Sequence, residues 1–181
     1  MRVIAGKYRG RTLKGPKHEG LRPTADRVKE ALFNIVGARI DGADFLDLFA
    51  GTGAVGIEAL SRGAHSITLA DRNPLSVKLI RENLKVVSLD DQIRVFTLPA
   101  DRVIELLAKE QARLNFIFLD PPFAAGLLEQ TMLLIAEANI LKKDGWLIVE
   151  HPQQMEPKAA KFATVSSRQY GDIGLTFLAP Q

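Results

Sequence analysis

The sequence predicts an α/β protein built on a sheet of seven strands, the last of them antiparallel. From residue 44 onward, short apolar runs alternate with longer stretches of helical periodicity, a pattern typical of a parallel sheet covered by helices on both faces. The final two apolar runs, 162–168 and 174–179, are joined only by a short turn, which forces them to pair antiparallel. The first 40 residues lie outside this pattern and predict a small hairpin and helix.

Five of the predicted strands follow one another, with a helical stretch after each of the first four. The strands are expected near residues 45–49, 66–70, 93–97, 115–119 and 146–150, and the helices near 54–62, 74–86, 101–110 and 126–138. Asn73 before Pro74 has the composition of a helix cap followed by proline at the first helical position. We therefore interpret Asn73 as mainly structural.

The N-terminal extension predicts two local structures. Residues 2–14 can form a hairpin around a turn containing Gly6 and Gly10, and Thr24 can cap a helix that ends near residue 36. Apolar residues recur at helical spacing in this helix, so one face is expected to pack on the main domain. The charged residues Arg27, Lys29 and Glu30 are expected to point elsewhere.

Basic residues are concentrated at the N-terminus. Residues 1–40 contain ten Lys and Arg against three acids, whereas the other 141 residues contain 14 basic and 18 acidic side chains. Such a basic arm, with Tyr8 among its charges, suits phosphate contacts and stacking on bases. A solvated basic terminus is the alternative, and composition does not decide between the two. We divide the chain into a basic extension, 1–40, and a main domain, 41–181.

Composition also excludes several kinds of chemistry. The chain has no cysteine, which excludes a thiolate nucleophile and cysteine-ligated metal sites. Its three histidines, His18, His65 and His151, lack metal-ligand spacing, so no metal is expected. No apolar run approaches the roughly 20 residues that span a bilayer, and no signal segment follows the basic start. We expect a cytoplasmic protein with no membrane association.

The most informative motif is Asp120-Pro121-Pro122-Phe123, which follows the apolar run 115–119. Two prolines cannot continue a central strand, so the strand must end at Asp120. The motif would then present a carboxylate and the Pro121 carbonyl as two acceptors beside an aromatic face. These groups suit the amino group of a planar base. The alternative is a simple Asp-Pro turn after a buried strand.

A second motif follows the first strand, where Asp47 precedes Gly51-Thr52-Gly53 and the helix that contains Gly56. Glycines at this place allow positive φ and close approach of a ligand to the helix N-terminus. The three glycines also match the dinucleotide fingerprint G-x-G-x-x-G. Asp47 argues against that interpretation, because its charge would oppose a pyrophosphate and favour the ammonium group of S-adenosylmethionine.

Two further strand ends carry candidate cofactor ligands. Asp71, followed by Arg72, has the place and spacing expected for binding a ribose diol. Asp101 could accept a hydrogen bond from an adenine amino group while the backbone of Ala100 and Asp101 meets the ring. Capping of the following helix is an equally good explanation for Asp101, and the two roles are compatible.

Three stretches together resemble one family over nearly the whole chain. They are LRPTADRVKEALFN (21–34), LDLFAGTGAVGIEALSRGA (46–64) and DPPF (120–123). The sequence resembles the bacterial 16S rRNA guanine-N2 methyltransferases, which have the Rossmann-like class I methyltransferase fold. The resemblance implies methyl transfer from S-adenosylmethionine to the exocyclic N2 of one guanine in 16S rRNA, on the 30S subunit or its assembly intermediate, by a monomer.

The resemblance also implies a division of roles among the candidate residues. The catalytic residues would be Asp120, Pro121, Pro122 and Phe123. The RNA would be contacted by Arg9, Arg11, Arg22 and Arg27. The cofactor would lie among Asp47, Gly51, Thr52, Gly53, Asp71, Arg72, Ala100, Asp101 and Asp120. The extension would bind RNA and cover the cleft. Asp120 is expected to be ionised so that it can accept from the amino group.

Three other functions remain open from the sequence. A DNA adenine-N6 methyltransferase would use the same DPPF chemistry, although the chain has no evident room for a separate DNA-recognition domain. A nicotinamide-dependent oxidoreductase would use the glycine loop but would not explain DPPF. A non-catalytic RNA-binding module would leave that loop without a role.

Overall fold

A computed structural model describes residues 1–15, 26–87, 92–122, 124, 126–157 and 161–181. Its strands are β1 (Asp44–Asp47), β2 (Ser66–Ala70), β3 (Ile93–Phe96), β4 (Leu114–Leu119), β5 (Leu141–Pro152), β6 (Phe162–Tyr170) and β7 (Ile173–Pro180). Its α-helices are α1 (Asp26–Val36), α2 (Ala54–Ser61), α3 (Pro74–Leu84), α4 (Ala100–Lys109) and α5 (Leu127–Ala138), with a short 3₁₀ helix at Gly37–Ile40. None of these helices has the length and apolar character needed to cross a membrane.

The strands form one seven-stranded sheet in the order β3-β2-β1-β4-β5-β7-β6. Strands β1 to β5 pair in parallel with their neighbours, and β7 runs antiparallel between β5 and β6. The predicted α/β sheet with an antiparallel last strand is therefore confirmed. The order reverses between β1 and β4, and parallel α/β sheets bind ligands in the crevice at such a reversal.

The fifth strand begins earlier than the sequence indicates. It was expected near residue 146, but Leu141 already pairs with Leu114, with a register irregularity before the regular pairing of Trp146 with Phe116. The polar run Lys142-Lys143-Asp144 conceals this start, because a half-exposed strand end has no apolar pattern to reveal it.

Each face of the sheet carries its own hydrophobic core. One core contains residues of α4 and α5, and the other contains residues of α1, α2 and α3. The second core also includes Val3, Tyr8 and Leu13 of the N-terminal extension, each buried. The extension thus contributes directly to the packing of the main domain.

The N-terminal arm, residues 1–15, forms the expected hairpin-like pairing. The Val3 amide donates to the Arg11 carbonyl at 3.0 Å, and the Leu13 amide donates to the Met1 carbonyl at 3.0 Å. Its turn lies against the end of α2, where a Cβ on Gly6 would overlap the Ser61 carbonyl. Gly6 has φ +81°, so both close approach and backbone conformation require glycine here.

The expectation that Lys29 points away from the core is wrong. Its side chain is fully buried, and Nζ donates to the Arg2 carbonyl at 2.6 Å and lies 3.5 Å from a Glu58 carboxylate oxygen. Burial lowers the pKa of Lys29, whereas the charges of Glu58 and Asp26 oppose that shift. Helical spacing alone cannot reveal a partner acid that lies on another helix.

Glu58 joins the arm to α2. Its fully buried carboxylate accepts from the amides of Ile4 (2.8 Å) and Ala5 (3.0 Å) and from Arg62 Nε (2.7 Å), in addition to its ion pair with Lys29. A buried charge is tolerated when it is paired and hydrogen-bonded. Glu58 meets that condition only while the arm is in place.

We expect Glu58→Gln to lower the free energy of unfolding by about 3 kcal/mol, because it removes the buried charged partner of Lys29 and leaves only the half-exposed Asp26 at 3.8 Å. Urea unfolding at neutral pH measures this change. Glu137→Gln, an exposed substitution of the same kind on α5, should change stability by less than about 0.5 kcal/mol.

Adding Lys29→Met to Glu58→Gln should recover part of the loss, because the fully buried ammonium is then removed together with its partner. Equal and small effects of Glu58→Gln and Glu137→Gln would contradict the role given to the buried pair.

Candidate active site

Three acidic side chains lie at the carboxyl ends of neighbouring strands. Asp47 is the last residue of β1, Asp120 follows the last residue of β4, and Glu150 lies near the end of β5. The register pairs Asp47 with Phe118 and Leu119 with Val149, which sets the three strand ends side by side. The sheet order reverses at β1 and β4, so these acids border the crevice where α/β sheets bind ligands.

Asp47 is 1% exposed, and only one of its two carboxylate oxygens has a hydrogen-bond partner among the described residues. Its Oδ2 accepts from the Gly56 amide at 3.2 Å, whereas Oδ1 is buried without a hydrogen-bond partner among the described residues. Burial, together with the charges of Asp71 and Glu150, raises the pKa of Asp47 to about 7. A buried acceptor of this kind suits a donor or cation supplied by a ligand.

Asp120 lies at the end of β4, as the sequence predicts. Burial and the charges of Glu150 and Asp47 raise the pKa of Asp120 to about 8. In the ligand-free protein, burial among like charges favours the protonated form of Asp120. The ionised Asp120 expected in the reacting site stays a prediction. A cation bound beside Asp120 would lower the pKa of its carboxyl group and favour the ionised form.

The rest of the DPPF motif is described in part. Pro121 is buried, Pro122 is exposed, and the Pro122 carbonyl accepts from the Ala124 amide at 2.6 Å. Strand β4 ends at Leu119, in agreement with the proline argument. Phe123, for which an aromatic contact with the base was expected, lies outside the described residues, and its role stays a prediction.

Glu150 is a candidate residue that the sequence interpretation missed. It is 8% exposed, and its charge helps to raise the pKa of both Asp47 and Asp120. The available signal was an acid at the end of the apolar run Trp146–Val149, which is the same pattern that identified Asp120.

The glycine loop has the geometry expected of a ligand-binding turn. Gly51 and Gly53 have φ values of 52° and 76°, and Gly53 immediately precedes α2. A Cβ on Gly56 would overlap the Leu69 side chain and approach Asp47. Gly56 therefore serves the packing of α2 on the sheet, while Gly51 and Gly53 shape the loop.

Asp71 supports the loop. Its two carboxylate oxygens accept from the Gly51 amide at 3.0 Å and the Asn73 amide at 2.8 Å. Asn73 caps α3 by accepting from the Leu75 amide at 2.9 Å, which confirms its structural interpretation. Arg72, at the same strand end, is exposed. The ribose contact predicted for Asp71 stays a prediction.

The remaining predicted cofactor residues differ in their surroundings. Thr52 is 5% exposed, and its hydroxyl lies 3.7 Å from Met1 Sδ. Ala100 begins α4, and the cap position belongs to Pro99. Asp101 is exposed in the first turn of α4. The helix dipole stabilises an acid at this place, but Asp101 does not occupy the cap position.

The structure describes three of the four predicted RNA-binding arginines, and their surroundings differ. Arg9 and Arg27 are exposed, whereas Arg11 lies 5.2 Å above the Tyr8 ring and donates to the Val86 carbonyl. Arg22 lies outside the described residues. Tyr8 is only 6% exposed, so its ring is not available for stacking on a base.

The described residues contain no group of three or more histidine, cysteine or acidic side chains arranged to hold a metal ion. His151 is buried, with Nδ1 at 2.8 Å from the Pro152 carbonyl and Nε2 at 2.9 Å from Thr176 Oγ1. Its contacts match the structural role expected from the sequence.

The structure has a Rossmann-like methyltransferase fold. The order of its strands defines this fold, together with the glycine loop and the acids that lie where that order reverses. The structure of yhhF from Escherichia coli matches with a TM-score of 0.86 and 31% identity, covering 100% of this chain and 98% of that one. The structure of SMU.776, which contains SAH, matches with a TM-score of 0.67 and 16% identity, over 84% of this chain and 48% of that one, and shows the fold alone.

The chain belongs to the family described as Conserved hypothetical protein 95, whose model matches residues 1–179. The Ribosomal RNA small subunit methyltransferase D of Escherichia coli strain K12 is 41% identical over 150 residues, covering 83% of this chain and 71% of that protein. The family resemblance inferred from the sequence is confirmed. The protein is a methyltransferase.

We expect the free energy of unfolding to fall as the pH rises from about 5 to about 8, because Asp47 and Asp120 bind protons more tightly when folded. Their folded pKa values are about 7 and about 8, against roughly 3.9 in an unfolded chain. The unfolded state therefore binds fewer protons within this window. Urea unfolding of the ligand-free protein across the window measures the slope.

Asp120→Asn should flatten this pH dependence, since the amide does not titrate. Asp144→Asn, an exposed substitution in β5, should keep the wild-type slope. Parallel curves for Asp120→Asn and the wild-type protein would refute the raised pKa of Asp120.

Proposed function

We propose that this protein transfers a methyl group from S-adenosylmethionine to the exocyclic N2 of one guanine in the 16S rRNA of the small ribosomal subunit. The observation that carries the proposal is the convergence of Asp47 and Asp120 at the reversal of the sheet, beside the glycine loop. The relative from Escherichia coli, which is named as a small-subunit rRNA methyltransferase, supports the choice of substrate.

The charge of the site supports S-adenosylmethionine as the cofactor. Asp47 is buried, and its Oδ1 has no hydrogen-bond partner among the described residues. The charge of Glu150 raises the pKa of both Asp47 and Asp120, so a cation is favoured at this site. A dinucleotide pyrophosphate would meet like charge here. The SAH found in SMU.776 is consistent with this choice. When bound, S-adenosylmethionine supplies a methyl group carried on a positively charged sulfonium.

We assign the cofactor contacts to residues at three strand ends. Asp47 would bind the ammonium group, the loop would approach the cofactor through its backbone, and Asp71 would bind the ribose. The complete set is Asp47, Gly51, Thr52, Gly53, Asp71, Arg72, Ala100, Asp101 and Asp120. Because Asp71 already accepts from two amides, its orientation is fixed before any ligand binds.

Asp120 and the DPPF motif would hold the guanine. Asp120 and the Pro121 carbonyl accept from the two hydrogens of the amino group, and Phe123 stacks on the ring. A cation bound near Asp47 and Glu150 lowers the pKa of Asp120 and so favours its ionised, accepting form. These residues act by positioning and by excluding water, and the chemistry requires neither a metal nor a protein nucleophile.

The RNA would reach the site along the basic extension. Arg9 and Arg27, which are exposed, would contact phosphates, and Arg11 and Arg22 complete the set assigned to RNA contacts. The substrate would be the 30S subunit or its assembly intermediate, and the target base must be unstacked to enter the site. Such a reaction belongs to rRNA processing in the cytoplasm.

We expect Asp120→Ala to lower methyl transfer at least about a hundredfold, because it removes a fixed group that acts on the reacting amine. S-adenosylmethionine affinity, measured by calorimetry, should fall far less than the rate of transfer, since Asp47 and the loop remain. Transfer of radiolabelled methyl to 30S particles that lack the modification measures the rate.

Asp144→Asn is the matched control and should retain wild-type activity. Full turnover by Asp120→Ala would exclude Asp120 from catalysis. A proportional loss of cofactor affinity would instead place its role in cofactor binding.

A further inference from the structure

The arm and helix α3 are joined into one surface. The Lys14 amide donates to Asn83 Oδ1 at 2.7 Å, and Asn83 Nδ2 donates back to the Lys14 carbonyl at 3.1 Å. Arg11 reaches the Val86 carbonyl just beyond α3. Asn83 is 1% exposed, so these contacts fix the arm against α3 at a defined position.

The same contact connects this surface to the cofactor loop. Asn83 Nδ2 also donates to the Thr52 carbonyl at 2.9 Å, and the Thr52 hydroxyl meets Met1. The surface formed by the arm and α3 therefore begins beside the predicted cofactor site.

Helix α3 continues the row of cations that begins on the arm. Its buried face contains Val77, Ile80 and Leu84, which leaves Lys78, Arg81 and Lys85 exposed at helical spacing. We call Arg11, Lys14, Lys78, Arg81 and Lys85 the arm–α3 basic surface. The basic residues of α3 lie outside the basic extension, 1–40, that the sequence predicts.

The single acid of α3 shows how close these cations lie. Glu82 accepts from Lys14 Nζ at 3.1 Å. The hydrogen bond and charge of Lys14, with further contributions from Lys78 and Lys85, lower the pKa of Glu82. Three cations from two segments thus surround one carboxylate, and the Lys14 side chain is still 68% exposed.

The opposite face of the sheet differs in its charge arrangement. On α4, Arg102 pairs with Glu105 at 2.9 Å, and Arg94 of β3 pairs with Glu110 through two bonds of 2.7 and 2.8 Å. Outside residues 1–40 the chain has more acids than bases. The cations on α3 therefore stand out against a domain that is otherwise mildly acidic.

We propose that the arm–α3 basic surface binds the sugar-phosphate backbone of the substrate RNA, with Lys78, Arg81 and Lys85 making phosphate contacts beyond those of the arm. This inference rests on the proposed function, because it takes RNA as the substrate. Clustered cations on one face suit a polyanion, and such contacts position the RNA without reading its sequence. The surface would orient the RNA so that one base reaches Asp120.

The test compares binding of 16S rRNA by the wild-type protein and by Lys78→Gln/Arg81→Gln/Lys85→Gln at several salt concentrations. Each lost phosphate contact lowers the slope of log affinity against log salt by about 0.7 to 1, so we expect a fall of about 2 to 3. Affinity at physiological salt should fall at least about tenfold, since each contact releases counterions. Arg9→Gln/Arg27→Gln should act in the same direction.

The matched control is the triple variant Lys109→Gln/Arg113→Gln/Lys143→Gln. It removes the same charge from exposed positions outside the arm–α3 basic surface. It should leave the slope unchanged. Glu82→Gln should act in the opposite direction and tighten RNA binding, since it removes the carboxylate that competes with phosphate for Lys14. Calorimetry with S-adenosylmethionine confirms that each variant retains a folded cofactor site.

A wild-type slope and affinity for the α3 variant would overturn the proposal, as would equal losses in the α3 variant and the control. Failure of the wild-type protein to methylate 30S particles would instead overturn the proposed function. Methylation of 30S particles with a wild-type salt slope in the α3 variant would overturn this inference alone.

Discussion

The burial of three carboxyl groups at adjacent strand ends is the constraint on which the site depends. Burial, together with the charge of Glu150, raises the pKa of both Asp47 and Asp120. Such an arrangement is unfavourable for an anion and favourable for a cation. The choice between a dinucleotide and S-adenosylmethionine therefore depends on the sign of the charge, since the glycine loop suits both.

The N-terminal extension is connected to this site by buried polar contacts. Glu58 receives two arm amides and pairs with Lys29, and Asn83 bonds both the arm and the cofactor loop. Removing the arm would deprive Glu58 and Asn83 of these hydrogen bonds and open the core at Val3, Tyr8 and Leu13. Single charge substitutions therefore test RNA binding more cleanly than deletion of the arm.

Much of the fold and part of the site could be predicted because their signals are local. Two prolines after an apolar run identify the end of β4, and Asn73 before Pro74 identifies the start of α3. The buried Lys29 and the basic face of α3 could not be predicted in this way. The burial of Lys29 depends on its ion pair with Glu58, and the joining of the arm to α3 depends on the ion pair of Lys14 with Glu82. In both pairs the partners are distant in sequence. Glu150 had a local signal, but its meaning depends on its neighbours in the sheet.

The most direct test of the account is the transfer of radiolabelled methyl from S-adenosylmethionine to 30S particles that lack the modification, with naked 16S rRNA and DNA assayed in parallel. We expect label at N2 of a single guanine in 16S rRNA. Label on DNA adenine alone would contradict the assigned substrate while retaining the DPPF chemistry, and the absence of label from every substrate would contradict the account as a whole.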